Sequence, residues 1–183
     1  MKPNWFVALP VSPGAWFARV SDPPHGVRLF HPEDLHLTVA FLGGVDEAAA
    51  RAAFAASRAI PLSARPVRLG EVVPMGNPRR PSALSARLRE GNEAVAQAIT
   101  AVRDAVCDAA GAPRELRPAL PHLTVARPRR TATYDERREA VRWAASLDLG
   151  APEVVLDAVA LYTWSSERRE RLFTIVDRLS LAS

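Results

Sequence analysis

Cysteine and lysine are nearly missing from this chain. Among 183 residues there is one cysteine, Cys107, and of 24 basic side chains only Lys2 is a lysine, the rest being arginines. One thiol closes no internal disulfide and builds no cysteine zinc cluster, so a reducing compartment is permitted. A P-loop sets an internal lysine on its phosphates, and an adenylylating ligase needs a lysine nucleophile. Lys2, second in the chain, serves neither, which excludes ATP-driven chemistry of those two kinds. Long apolar runs are lacking too. Trp5 to Leu9 is apolar, but Pro10 and Pro13 break it too early for a signal-peptide core, and nothing approaches the roughly 18 residues of a membrane helix. The expectation is a cytoplasmic monomer that meets no membrane. No metal site is expected, since the four histidines lack ligand spacing and no carboxylate pair accompanies them.

What is present is ordinary for a globular chain: 48% apolar and 24% charged residues, enough for one domain with a substantial core. The net charge of +4 pulls weakly toward anionic partners. Period-2 patterning predicts strands at residues 4–11, 35–42, 67–73, 83–89, 122–126, 154–163 and 172–179. A turn is predicted around Pro74, Gly76, Asn77 and Pro78. Helical spacing predicts helices at 47–59, capped by Asp46, at 93–110, ended by Gly111 and Pro113, and at 135–145. Cys107 reads as a small core residue of the second helix. Strands and helices alternate without the rhythm of parallel βαβ units, so the expected class is α+β with antiparallel sheet.

The chain also repeats itself. Residues 36–40 read His-Leu-Thr-Val-Ala, residues 122–126 read the same, and Pro32 and Pro118 each stand four residues before their histidine. Such an echo points to duplication. On a strand, i and i+2 share a face, so His36 and Thr38 present an imidazole and a hydroxyl together while Leu37 and Val39 enter a core. His122 and Thr124 do the same against Leu123 and Val125. If the halves meet about a pseudo-twofold axis, two imidazoles and two hydroxyls converge on one cleft. That set suits in-line displacement at phosphorus. One neutral histidine takes a proton from water, one protonated histidine gives a proton to the leaving ribose oxygen, and the threonines hydrogen-bond the non-bridging oxygens. Such chemistry calls for no metal and no nucleotide cofactor.

The echo breaks five residues after each histidine, at Phe41 and Arg127. An arginine there suits bidentate phosphate binding, and an aromatic suits stacking on a base. Strict alternation puts both on the wrong face, so a bend in each strand is required. His25 and His31 lack partners of this kind and sit beside prolines; they are expected to be structural. Arg79-Arg80, Arg129-Arg130 and Arg168-Arg169 read as solvated pairs that can guide RNA.

These residues resemble the 2H phosphoesterase superfamily, and within it the RNA 2′,3′-cyclic phosphodiesterases also called LigT-like 2′-5′ RNA ligases. The resemblance covers Trp5 to Pro10, Pro32 to Gly43, Pro121 to Arg127 and Val159 to Tyr162. It implies a bilobal α+β fold whose duplicated antiparallel sheets and flanking helices surround a basic cleft. It also implies hydrolysis of a 2′,3′-cyclic phosphate to a 2′-phosphomonoester, with reversible 2′-5′ ligation as a side activity. His36 is then the proton donor, His122 the proton acceptor, and Thr38, Thr124 and Arg127 hold phosphate. The sequence itself does not separate donor from acceptor. Asp34 stands where relatives often carry asparagine, and Leu116 to Leu120 lacks the aromatic often found before the second motif. Two other readings stay open: a 2H enzyme acting on a small cyclic nucleotide or ADP-ribose cyclic phosphate, and a nucleotide-binding module with little turnover.

Overall fold

In the computed structural model, which describes residues 2–183, nine strands form one antiparallel sheet and three helices cover one of its faces. The strands are β1 (Trp5–Pro10), β2 (Val27–Leu29), β3 (His36–Gly43), β4 (Arg65–Asn77), β5 (Arg80–Glu90), β6 (His122–Pro128), β7 (Glu153–Leu156), β8 (Ala158–Trp164) and β9 (Phe173–Ser180). The helices are α1 (Glu47–Ser57), α2 (Asn92–Ala109) and α3 (Tyr134–Ser146). The expected α+β class with antiparallel sheet is what the chain adopts.

The helix starts follow from their caps. Asp46 Oδ1 accepts the Ala49 N–H at 2.8 Å, which opens α1 as the sequence predicted. Thr133 and Glu136 form a reciprocal capping box at α3. Gly91, at φ +82°, precedes α2, and a Cβ there would meet Val67 at 2.7 Å, so only glycine turns the chain so tightly.

Sheet order is β7-β4-β5-β6-β3-β1-β8-β9, with β2 paired beside β6. The two motif strands stand at the centre, and the order reads outward alike on both sides. Helix α1, following β3, packs on β1 and β8; helix α3, following β6, packs on β4 and β5. Each half thus repeats a motif strand, a helix and three flanking strands. Only Asp157 separates β7 from β8 in the chain, yet they stand six places apart in the sheet order. The sheet must therefore curl until its β7 edge approaches β8, giving a half-barrel. Residues such as Leu37, Val39, Leu123 and Val125 belong to the main core on the helix-covered side, leaving the opposite face free to carry polar groups.

Three boundaries differ from the sequence reading. The segment expected as one strand at 154–163 is two, because at Asp157 the chain leaves β4 and joins β1 and β9. The turn expected around Pro74 to Pro78 shrinks to residues 78 and 79: β4 runs on to Asn77 through an irregularity at Gly76, whose φ is +92°. Strand β2 was not legible, since three residues between Gly26 and Phe30 carry too little pattern to register. Among the described residues, no helix is long and apolar enough to cross a membrane.

Candidate active site

The central strands meet at a single ladder pair, Leu37 with Leu123. Continuing that antiparallel register by one residue sets His36 across from Thr124 and Thr38 across from His122. The pseudo-twofold axis runs through the leucine pair, and both His-x-Thr motifs share one sheet face, as the repeat required.

The two imidazoles are tethered identically. His36 Nδ1 lies 2.6 Å from the Asp34 carbonyl, and His122 Nδ1 lies 2.7 Å from the Leu120 carbonyl. A carbonyl only accepts, so each Nδ1 carries the proton and each Nε2 is left as the reactive nitrogen, with no partner among the described residues. Around them the halves diverge. His36 sits in an aromatic box, its ring 4.9 Å from Phe6, 5.3 Å from Tyr162 and 5.5 Å, edge-on, from Phe173. Burial there pushes the His36 pKa down to about 4 from 6.5; the Asp34 carbonyl opposes the shift and the nearby His122 adds to it.

A bulge re-aims each motif strand. In β3 the pairing with β1 steps from Ala8–Thr38 to Val7–Ala40, leaving Val39 as an extra residue. In β6 the pairing with β5 steps from Ser85–Thr124 to Leu84–Ala126, leaving Val125 extra. One extra residue reverses the alternation beyond it. Phe41 and Arg127 thereby return to the site face, which is the bend that the sequence demanded. Phe41 is 58% exposed at the mouth, and Arg127 lies over the Phe30 ring at 5.3 Å. Burial together with the neighbouring Arg28 and Arg168 lowers the Arg127 pKa, against a weaker pull from Asp34.

His36, Thr38, Phe41 and Arg127 line a recess of about 280 Å³ with Trp164 and Phe173. His122 and Thr38 also line a larger cavity of about 720 Å³ beneath the loop at 113–120. Five of the six expected site residues line these two spaces, which share Thr38 and Phe41, while Thr124 lines neither and is placed on the same sheet face by its register across from His36.

The sequence missed several supporting residues. Ser85 Oγ lies 3.0 Å from Thr124 Oγ1 and fixes that hydroxyl; its position opposite the second motif was the only available signal. Asp34 is fully buried, and its carboxylate accepts the N–H groups of Leu172 (2.7 Å) and Phe173 (3.0 Å), holding Phe173 at the edge of His36. His25 and His31 are structural, as expected. His25 pairs with Glu136 at 2.6 Å, and His31 Nδ1 accepts the Glu33 N–H at 3.2 Å.

The family model for the 2′-5′ RNA ligase superfamily matches residues 9–168. The chain resembles the Escherichia coli LigT structure with 3′-AMP at 20% identity over 100% of both chains, with a TM-score of 0.71. It resembles TT0787 of Thermus thermophilus at 22% identity over 97% of both, with a TM-score of 0.69. Usb1 of Kluyveromyces marxianus matches at 11% identity over 98% of both, with a TM-score of 0.59. No curated protein matches the chain. At these identities the solved structures show a shared fold.

Proposed function

The chain belongs to the 2′-5′ RNA ligase superfamily, and from that premise we propose that it opens RNA 2′,3′-cyclic phosphates with water, leaving a 2′-phosphate. The observation that carries this reading is the pair of identically tethered histidines about the Leu37–Leu123 axis, each with a free Nε2 beside a threonine.

Water attacks phosphorus opposite the 3′-oxygen, and its proton passes to His122 Nε2. The bond from phosphorus to the 3′-oxygen breaks, and that oxygen takes the proton of His36 Nε2. The products are a 2′-phosphomonoester and a 3′-hydroxyl, and a proton moved between the imidazoles through solvent resets the pair. Thr38, Thr124 and Arg127 bind the non-bridging oxygens, where charge grows in the transition state. Phe41 at the mouth offers a face on which a base stacks. The half-buried His36 is neutral at pH 7 in the free protein, and an anionic phosphate beside it is what favours its charged, donating form. With an RNA 5′-hydroxyl attacking in place of water, the same groups join two ends through a 2′-5′ linkage without ATP. Water at about 55 M makes hydrolysis the main activity unless both ends are held together.

A short RNA ending in a 2′,3′-cyclic phosphate, incubated with the protein in EDTA, tests this. Wild type should yield the 2′-phosphate, and His36→Ala and His122→Ala should each lose about 10²-fold or more. A wild type that turns over only bare cyclic nucleotides or ADP-ribose cyclic phosphate would replace the RNA reading. Binding of the RNA with no product would make the protein a nucleotide-binding module.

A further inference from the structure

Beyond His36 the recess opens into a second cavity of about 610 Å³, lined by Arg28, Arg127, Arg129, Arg130, Arg168 and Arg169. Arg127 and Arg168 line both spaces; the other four line the outer one alone. Among the described residues none of these six guanidiniums forms an ion pair with a carboxylate. Several arginines elsewhere are matched with acids, as Arg51 is with Glu47, Arg114 with Asp108, Arg117 with Glu115 and Arg178 with Asp157. A like-charge cluster left without counter-ions in a concave site gains most from an anion.

The cluster is also built to hold its shape. Arg28 donates to the carbonyls of Arg168 (2.8 Å) and Arg169 (3.2 Å), fixing the turn that carries both. Buried Arg137 donates to the carbonyls of Arg129 (3.1 Å) and Arg130 (3.4 Å), fixing the other turn. Arg168 lies 4.1 Å above the Trp164 ring, and its Nη1 is buried with no hydrogen-bond partner. A buried guanidinium nitrogen without an acceptor is costly, and an anion in the cavity would supply one.

Resting on the reading of the cleft as a cyclic-phosphate site, we infer that this cavity is a subsite for a second phosphate, the 5′-phosphate of the nucleotide whose cyclic end is opened. The protein thereby prefers a cyclic end that carries a 5′-phosphate over a bare nucleoside 2′,3′-cyclic phosphate. Arg127 and Arg168 bridge the two phosphates, and Arg28 with the outer arginines binds the second.

The test compares three substrates at low salt: a nucleoside 2′,3′-cyclic phosphate, the same with a 5′-phosphate, and a dinucleotide ending in the cyclic phosphate. The second and third should exceed the first in kcat/KM by about tenfold or more. A gain with the dinucleotide alone assigns the subsite to chain phosphodiesters, and a gain with both assigns it to either form. In Arg129→Gln/Arg169→Gln, whose exposed side chains carry no fold contact, and in Arg28→Gln, the ratio should fall to within about threefold of one. Calorimetry reads the same site without turnover: a nucleoside 2′,5′-bisphosphate should bind about tenfold more tightly than the 2′-monophosphate, and the variants should erase the difference. Equal values for all ligands in wild type, or a preference that survives in the variants, overturns the subsite. No turnover of any substrate with the bisphosphate preference intact would instead remove the phosphodiesterase reading and leave the subsite standing.

Discussion

An imidazole walled by three aromatic rings gives up its charge, and His36 shows the consequence twice. Its pKa near 4, against 6.5 for a free histidine, means that the unfolded chain binds a proton in that interval which the folded one refuses. Folded stability is therefore full above about pH 6.5 and falls as pH drops toward 4. In catalysis, kcat/KM reports the free protein and kcat the complex. The acid limb of kcat/KM should lie near pH 4, and that of kcat should lie higher, because the bound phosphate favours imidazolium. Initial rates from pH 3 to 9 check this; coincident limbs would mean that the phosphate charge does not reach His36. Limb positions belong to the histidine pair and do not divide the roles. A leaving group does. On a nitrophenyl phosphodiester, whose phenolate departs without a proton, His36→Ala should stay within about tenfold of wild type while His122→Ala still loses about 10²-fold or more. The opposite pattern would exchange donor and acceptor.

Single elements are where sequence and structure part company. The motif strands were legible because His, Leu, Thr and Val alternate on a period of two and recur word for word. The bulges were not, because Val39 and Val125 are ordinary strand residues, and only the pairing with β1 and β5 shows them to be extra. Phe41 and Arg127 were named from chemistry together with the need for a bend in each strand, while the form and place of that bend stayed invisible. Asp34 was legible only as a departure from relatives. Its meaning is tertiary, since it ties the start of β9 to the turn before β3, 138 residues away along the chain. Asp34→Asn keeps one acceptor oxygen and turns an amide toward the other buried N–H. The expected cost is about 1–3 kcal/mol, seen as a melting temperature lower by several degrees. Because Phe173 then loosens from His36, the acid limb of kcat/KM should also move upward from about 4. An unchanged melt would show that the two backbone hydrogen bonds carry no net stability.

Taken whole, the molecule concentrates charge rather than accumulating it. A formal charge of +4 on 183 residues makes a weak global field. Yet six arginines without acidic partners stand together at one end of the cleft, while Arg51 on α1, Arg68 on β4 and Arg178 on β9 each face a carboxylate. If RNA is drawn by net charge, removing any two arginines weakens it equally. If it is drawn by contact, only the cavity counts, since each phosphate neutralised on a single strand contributes about 0.7 to the slope of log affinity against log salt. Two double variants separate these cases. Arg51→Gln/Arg58→Gln on the helix face and Arg129→Gln/Arg169→Gln at the cavity each lower the formal charge of +4 by two. With a dinucleotide substrate between 50 mM and 200 mM salt, the helix pair should keep the wild-type slope of log kcat/KM. The cavity pair should flatten it by about 0.7, the signature of one lost phosphate contact. Equal flattening in both would mean that the field of the whole protein, rather than the arginine cavity, draws the substrate in.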